Sequence, residues 1–220
     1  MSKSAFRPRR VIFLVCLPAL LAVSCVTTPK STDSRAFKNR YGDSFRYCSV
    51  EAVRQSEQRS CGAAALVGVM NYWKAEGAPD LKEKDIVRQY PAASKEGYPL
   101  LQLREIALRE RFAAFAVSMD GDPWNKLGEH LDNGRPVICA VQLPRGRYWG
   151  SSLPLVETLD RRTVMSTGNE WKSHYVVAMG RNYKEIILMD PKYGIVKLPR
   201  ESFVEFWRLE GYAALICSSI

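Results

Sequence analysis

Three side chains in this 220-residue sequence have the chemistry of a nucleophile, its base and an orienting acid. Cys61 comes directly before the small residues GAAAL, His174 opens the apolar run HYVVAMG, and Asp190 ends the apolar run EIILMD. A thiol attacks a carbonyl carbon efficiently when an imidazole takes its proton and a carboxylate holds that imidazole in place. The three residue types therefore predict acyl-transfer chemistry, provided that folding brings them together.

Cys61 stands where the sequence predicts the start of a helix. Ser60 suits the N-cap position, and the alanines at 63–65 favour a helix strongly. The first turn of a helix carries unpaired N–H groups and the positive end of the helix dipole, which favour a thiolate. The pKa of a cysteine falls at such positions and beside a protonated histidine. Taken alone, Cys61 would also fit a buried small residue or half of a disulfide.

His174 and Asp190 are predicted to meet across a hairpin. SHYVVAMG and EIILMDP both have strand character, and RNYK between them is typical of a turn. If the two strands pair through that turn, Asp190 lies near His174. Separately, His174 would fit a satisfied strand-end histidine and Asp190 an Asp-Pro turn. Their coincidence with Cys61 favours a catalytic group.

Gln55, six residues before Cys61, is the candidate fourth member of the site. Attack on a carbonyl creates an oxyanion, which needs hydrogen-bond donors such as a side-chain amide and a backbone N–H. Gln55 and the backbone N–H of Cys61 are the predicted donors, and Gln58 is the competing candidate. His130, on a predicted short helix, is interpreted as surface or half-buried and not catalytic.

Helical patterns come first in the sequence and strand patterns dominate later. Leu66, Val69, Met70 and Trp73 form one apolar stripe of a helix that is expected to end by Gly77. Further helices are predicted at 81–90, at 100–111 and in DPWNKLGEHLDNG and PRESFVEFW, and strands in FAAFAVSM, PVICAVQL, SHYVVAMG, EIILMDP, GIVKLP and GYAALICS. A long loop is expected from 144 to about 171. This order predicts a single α+β domain.

The first 24 residues predict a secretion signal. MSKSAFRPRR is basic, and the apolar VIFLVCLPALLAV that follows is too short for a comfortable membrane span. LAVSC places small residues before Cys25 and resembles the bacterial lipobox, in which the cysteine is lipidated and begins the mature protein. An ordinary signal with an incidental Cys25 is the alternative. Residues 25–45 are then expected to form a flexible tether and 46–220 the domain, anchored in the cell envelope. Val26 after the cysteine favours the outer membrane in a Gram-negative host.

Charge and composition argue against nucleic-acid and metal sites. The net charge of +9 falls to +5 without the four basic signal residues, since 28 bases then face 23 acids. These charges are scattered, so no nucleic-acid partner is expected. No metal-type CxxC spacing occurs, and no cofactor is predicted. Disulfides are permitted in an exported chain; Cys48 with Cys217 is one conceivable pair, and Cys139 is interpreted as a core residue.

QSEQRSCGAAAL, HYVVAMG and LMDPKYG, in this order, resemble the bacteriocin-leader-processing peptidases, family thirty-nine of the papain-like cysteine peptidases. The resemblance covers about 54–194. It implies a papain-like fold, with a helical half carrying the cysteine at a helix start and an antiparallel sheet carrying the histidine and the aspartate.

The resemblance also implies a role for each site residue. Gln55 contributes to the oxyanion hole, Cys61 is the nucleophile, His174 is the base and Asp190 orients it. Ser60 stands where the family often has Asp, a departure expected to affect detail more than activity.

The function that follows is a membrane-tethered, exported cysteine peptidase, expected to be a monomer that acts on peptides or proteins. The best-known family members are fused to an ABC exporter and cut after a double glycine in the cytosol. The sequence contains no transporter segment and predicts export, so double-glycine leaders are not the expected substrate. Two alternatives remain: a non-enzymatic peptide-binding lipoprotein on the same fold, and a thiol transamidase or cell-wall amidase.

Overall fold

The computed structural model describes residues 46–144 and 171–220. The predicted signal and tether, the candidate lipid site Cys25 and most of the predicted loop from 144 to 171 lie outside these residues. Within the two described ranges the chain forms five helices and seven strands. No helix in these ranges is both long enough and apolar enough to cross a lipid bilayer.

The helices and strands follow the predicted order. The helices are α1 (Cys61–Trp73), α2 (Glu83–Gln89), α3 (Leu100–Arg109), α4 (Pro123–Asp132) and α5 (Arg200–Arg208). The strands are β1 (Arg46–Tyr47), β2 (Phe112–Ser118), β3 (Val137–Pro144), β4 (Trp171–Arg181), β5 (Glu185–Asp190), β6 (Gly194–Pro199) and β7 (Ala213–Ser219). The predicted end of α3 at residue 111 is two residues too late, because Arg111 has a φ of 65°, which a helix does not accommodate.

All strand pairs form one antiparallel sheet with the order β2-β7-β3-β4-β5-β6, and β1 pairs with β4. Strands β4 and β5 form the predicted hairpin, with a register shift between Ala178 and Gly180. On its other side β4 pairs with β3, where Val141 lies opposite His174. The predicted α+β fold with an antiparallel sheet is confirmed.

Helix α1 is the central helix of the domain and packs on β4 and β7, with α2 and α3 against it. Its first ten residues, Cys61–Met70, are all buried, so the predicted single apolar stripe understates its burial. Small side chains allow the helix to fit closely among these neighbouring elements. A Cβ on Gly62 would lie 3.1 Å from both Tyr98 Cβ and Leu103 Cδ1, and one on Gly68 would lie 2.7 Å from Met189 Cε. The run that follows Cys61 therefore sets how closely the helix approaches its neighbours.

The turn between α5 and β7 is held in place by buried aromatic packing. Trp207 is fully buried, and its indole Nε1 donates to the carbonyl of Ala213 at 2.9 Å. The Ser118 hydroxyl of β2 donates to the carbonyl of Gly211 at 2.8 Å. The backbone N–H of Glu210 donates to the carbonyl of Trp207 at 3.1 Å. These three bonds together position the backbone of Glu210 in the turn.

The four cysteines of the described ranges, Cys48, Cys61, Cys139 and Cys217, are all buried free thiols. The conceivable bridge between Cys48 and Cys217 is therefore not present. Burial raises the pKa of Cys48 to about 11, although a hydrogen bond with Tyr72 acts in the opposite direction. Burial alone raises the pKa of Cys217 to about 12, and it raises that of Cys139 as well.

Candidate active site

Cys61 is the first residue of α1, where the backbone N–H groups of the opening turn point outward. Ser60 occupies the N-cap position, but its side chain does not cap the helix. Its hydroxyl instead accepts from the backbone N–H of Glu57 at 3.1 Å and donates to the Glu57 carbonyl at 3.2 Å. The predicted helix start is thus confirmed, and its N–H groups have no side-chain acceptor from Ser60.

The hairpin of β4 and β5 places His174 beside Asp190. Val177 pairs with Met189, so extending the register by one residue puts Asp190 opposite Val176. His174 is two residues from Val176 and therefore points to the same face of the sheet. His174 Nε2 lies 3.1 Å from Asp190 Oδ1, with the two side chains 5% and 0% exposed. The sequence-predicted pair is brought together.

Asp190 is positioned by the turn that follows it. Its Oδ1 accepts from the backbone N–H groups of Lys192 at 2.7 Å and Tyr193 at 3.1 Å. These two bonds form because the Asp-Pro sequence turns the chain directly after β5, so the backbone folds back over the carboxylate. These two bonds hold the Asp190 carboxylate in the orientation that faces His174. The carboxylate cannot rotate away without losing them.

The Cys61 thiol lies close enough to the His174 ring and to the backbone of Tyr175 for both to act on its pKa. Burial opposes ionisation of this thiol, but the hydrogen bond and charge of His174 and the Tyr175 N–H outweigh it and lower the Cys61 pKa. Burial likewise opposes charge on His174, yet Asp190 and Cys61 raise the His174 pKa from 6.5 to about 10. The lowered pKa of Cys61 and the raised pKa of His174 together favour a thiolate–imidazolium pair. Since Nε2 faces Asp190, Nδ1 is the ring nitrogen left for proton transfer with the thiol.

A cleft of about 270 Å³ opens beside the sulfur. Its walls come from the start of α1, the segment before α3, strands β3 and β4, and the turn before β7. The lining residues are Cys61, Ser94, Glu96, Gly97, Tyr98, Pro99, Ala140, Ser173, His174, Tyr175 and Glu210. The cleft gives a carbonyl group access to the otherwise buried thiol.

Several cleft residues were not predicted, and a tight turn supplies three of them, Ser94, Glu96 and Gly97. Ser94 and Gly97 form a small antiparallel bridge, and Gly97 has a φ of 124°. A Cβ at Gly97 would lie 2.7 Å from the carbonyl oxygen of Arg59, so only glycine fits here without displacement of backbone. The close contact between this turn and Arg59 cannot be predicted from a local sequence pattern. The glycine at position 97 is its one local signal.

Gln55 lies close to the aspartate end of the site. Its backbone N–H donates to the carbonyl of Pro191 at 3.0 Å, directly after Asp190. Its side-chain Nε2 donates to the carbonyl of Glu57 at 2.7 Å, and Gln55 is not among the residues that line the cleft. Its role as an oxyanion donor therefore stays a prediction, and the competing Gln58 is exposed.

His130 lies on α4 and is half-buried, in keeping with its interpretation as a non-catalytic residue. Burial and the nearby charge of Arg135 lower its pKa.

A family model described as the Peptidase C39 like family matches residues 47–215, which include Gln55, Cys61, His174 and Asp190. The chain belongs to this family. The resemblance inferred from the three sequence motifs is thus confirmed at the level of the family. A search of curated proteins finds no match.

Solved structures of the peptidase C39 type share the fold. The peptidase domain of Streptococcus ComA, a bifunctional ABC transporter involved in quorum sensing, matches with a TM-score of 0.53 and 18% identity, covering 78% of this chain and 99% of that chain. A putative C39-like peptidase from Bacillus anthracis matches with a TM-score of 0.52 and 19% identity, covering 79% of this chain and 96% of that chain.

A third similar structure is a double glycine motif protease from an AMS/PCAT transporter in complex with its leader peptide. It matches with a TM-score of 0.51 and 21% identity, covering 79% of this chain and 94% of that chain. The predicted papain-like fold is confirmed by these neighbours. Family and fold together indicate that this C39-like protein is a peptidase.

Proposed function

We propose that this C39-like protein is a cysteine peptidase that hydrolyses peptide bonds with Cys61 as nucleophile, His174 as acid and base, and Asp190 as the residue that orients the imidazole. The observation that carries the proposal is that Cys61 and His174 line the same cleft while His174 Nε2 lies 3.1 Å from Asp190 Oδ1. The relative solved with its leader peptide supports a peptide as substrate. A protein that only binds peptides would not require a lowered pKa at this thiol.

The reaction proceeds in two steps. The Cys61 thiolate attacks the carbonyl carbon, and the resulting oxyanion is stabilised by the Cys61 backbone N–H and by the side-chain amide of Gln55, which turns from the Glu57 carbonyl toward the cleft. When the C–N bond breaks, His174 gives its proton to the leaving amine and a thioester remains. Water then loses a proton to His174 and attacks the thioester, which releases the carboxylic acid and regenerates the thiolate.

We expect the full chain to cleave peptides and to lose this activity when Cys61 is alkylated. Because the Cys61 pKa is lowered, iodoacetamide should modify Cys61 well below pH 9.0, the ordinary pKa of a thiol. The alkylation rate is measured against pH by peptide mapping, and cleavage by mass spectrometry of a peptide library. The expected modification rate rises through the lowered pKa of Cys61, at a pH below that of an ordinary thiol, and then levels off, because the ion pair persists up to the His174 pKa of about 10.

Cys48 and Cys217 serve as internal controls in the same digest. Burial raises the pKa of both, so the native fold should protect them while Cys61 reacts. Equal labelling of the three thiols at neutral pH, or peptide cleavage that survives complete alkylation of Cys61, would contradict the proposal. Product analysis with an added amine distinguishes hydrolysis from transfer to that amine.

We also propose that residues 1–24 are a lipoprotein signal, that Cys25 carries the lipid and that residues 25–45 tether the domain of residues 46–220 to the cell envelope. The basic start, the short apolar stretch and the small residues before Cys25 support this proposal. Two or more acyl chains on one cysteine give stable anchoring, where a single chain is marginal.

Metabolic labelling tests the anchor. In a bacterial host that processes lipoproteins, the full chain should incorporate labelled palmitate and sediment with membranes. Cys25→Ser should remove both properties, whereas Cys16→Ser, within the predicted signal, should leave them unchanged. Palmitate incorporation into Cys25→Ser would place the lipid elsewhere and refute this assignment.

A further inference from the structure

Two carboxylates line the cleft beside Cys61, and none of the described lining residues is a lysine or an arginine. Glu96 comes from the turn before α3 and Glu210 from the turn before β7. These walls are far apart in the sequence but face the same space next to the sulfur. The catalytic cleft is thus acidic on two sides, although the chain as a whole is basic.

Both carboxylates are held at the cleft by hydrogen bonds. The hydroxyl of Ser173, the residue before His174, donates to Glu210 Oε1 at 3.1 Å. The hydroxyl of Ser94 lies 3.1 Å from two acceptors for its one proton, Glu96 Oε2 and the Gly97 carbonyl, and accepts from the backbone N–H of Glu96 at 3.1 Å. Neither bond neutralises a charge, because a serine hydroxyl is uncharged. The cleft therefore presents two ordered acceptors that a cationic side chain would satisfy.

The charge of Glu210 acts on Tyr175, a neighbour of the reacting atoms in the cleft. Burial is the main cause that raises the Tyr175 pKa, and the charges of Cys61 and Glu210 raise it further. Tyr175 lines the cleft and its backbone lies close to the Cys61 thiol, so both charges act within one small space. Charges that meet in a partly desolvated cleft interact more strongly than the same charges in bulk water.

The opposite charge prevails on the other side of the turn formed by Ser94 and Gly97. A second cleft of about 630 Å³, which shares Tyr98 with the first, is lined by Arg59, Lys84 and Arg88, with Glu57 as its one acid among the described residues. A peptide lying across both clefts would thus meet a negative wall at the thiol and a mainly positive wall beyond it. This asymmetry directs a cationic side chain to the thiol side.

We propose that the cleft selects peptides that carry a lysine or arginine side chain adjacent to the cleaved bond, with Glu210 and Glu96 as the residues that determine this specificity. The inference rests on the proposed peptidase function. An ammonium or guanidinium group bound there gains charge-assisted hydrogen bonds to the two carboxylates, whereas an acidic side chain at the same place is repelled. The cationic group itself takes no part in the chemical steps.

The test uses one set of three otherwise identical peptides for each of the two positions that flank the cleaved bond. Within a set, the residue at that position is lysine, norleucine or glutamate. For the full-chain enzyme, kcat/KM at one flanking position should be about 10-fold higher with lysine than with norleucine, and lower still with glutamate. The preference should reside mainly in KM and weaken with added salt, since the contact is electrostatic. Norleucine matches the length of the lysine stem and so removes only the charge.

Glu210→Gln and Glu96→Gln should each reduce the lysine-to-norleucine ratio, and the double variant should bring it near one. Glutamine keeps the acceptor of the serine hydroxyl, so the turns are preserved. Glu210→Lys should instead favour the glutamate peptide. Glu76→Gln, which removes the same charge from an exposed position after α1, should leave the ratio unchanged.

The outcomes separate this inference from the proposed function. Cleavage without a charge preference, or a preference that both glutamine variants retain, would overturn the specificity assignment while the peptidase stands. Failure to cleave any peptide, together with an unreactive Cys61, would overturn the proposed function and the inference with it.

Discussion

Cys61→Ala is expected to abolish peptide cleavage, lowering kcat/KM by roughly 10⁴-fold or more, because the chemical step has no nucleophile without the thiol. The substitution removes one sulfur atom from a nearly buried helix start and keeps a strong helix former there. Cleavage is followed by mass spectrometry and folding by circular dichroism and thermal unfolding. We expect near-native secondary structure and a modest change in unfolding temperature.

Cys217→Ala provides the matched control for that variant. Cys217 is a fully buried thiol on β7, so its replacement also removes one buried sulfur, but it does not line the cleft. Its kcat/KM should stay near that of the parent protein. If Cys61→Ala retained the parent rate, the nucleophile would have to be another group and the assignment of the triad would fail.

Asp190→Asn is expected to lower kcat/KM by about 10²- to 10⁴-fold, because a neutral amide cannot stabilise the charged imidazolium of His174. Asp190 raises the pKa of His174, so without its charge that pKa should fall from about 10. Asp190 also acts directly on Cys61 and raises its pKa, but this effect is smaller than the opposite effect of His174. The net result is a narrower pH range in which thiolate and imidazolium coexist.

The measurement is the pH dependence of Cys61 alkylation in Asp190→Asn. Its neutral-pH rate should fall relative to the parent protein, because the imidazolium that stabilises the thiolate loses its proton more readily without the Asp190 charge. Asp85→Asn is the matched control, because Asp85 is an exposed residue paired with Arg88 on α2. An alkylation profile for Asp190→Asn that coincides with that of the parent would show that Asp190 does not govern the ion pair.

The local parts of the site could be predicted from the sequence. The juxtaposition of His174 with Asp190 depends on two apolar strands and the short turn that joins them, so strand period and turn composition suffice. The helix start at Cys61 follows in the same way from Ser60 and the alanines. Each of these features is determined by residues close together in the chain.

The meeting of Cys61 with His174 has a different origin. It depends on the packing of α1 against β4 across 113 positions of sequence, and only the coincidence of the three residue types and the family resemblance indicated it. Likewise, no pattern near Glu210 or Glu96 indicates that either residue borders a cleft. Such contacts are determined by how the helices and the sheet assemble, which local propensity does not encode.

The extent of α1 burial was underestimated for a related reason. The apolar stripe correctly identifies Leu66 and Met70 as core residues, but the alanines at 63–65 are predicted only as helix formers. In the structure they are contact residues, because a small side chain allows neighbouring elements to approach the backbone. Hydrophobic periodicity does not register packing of this kind.

The position of β7 in the sheet has a consequence for synthesis of the protein. Strand β7 lies between β2 and β3, so β2 gains its strand partner only when residues 213–219 are available. Because α1 also packs on β7, a chain whose synthesis stops before residue 213 lacks part of the support for the helix that carries Cys61. Such incomplete chains should therefore be poor peptidases.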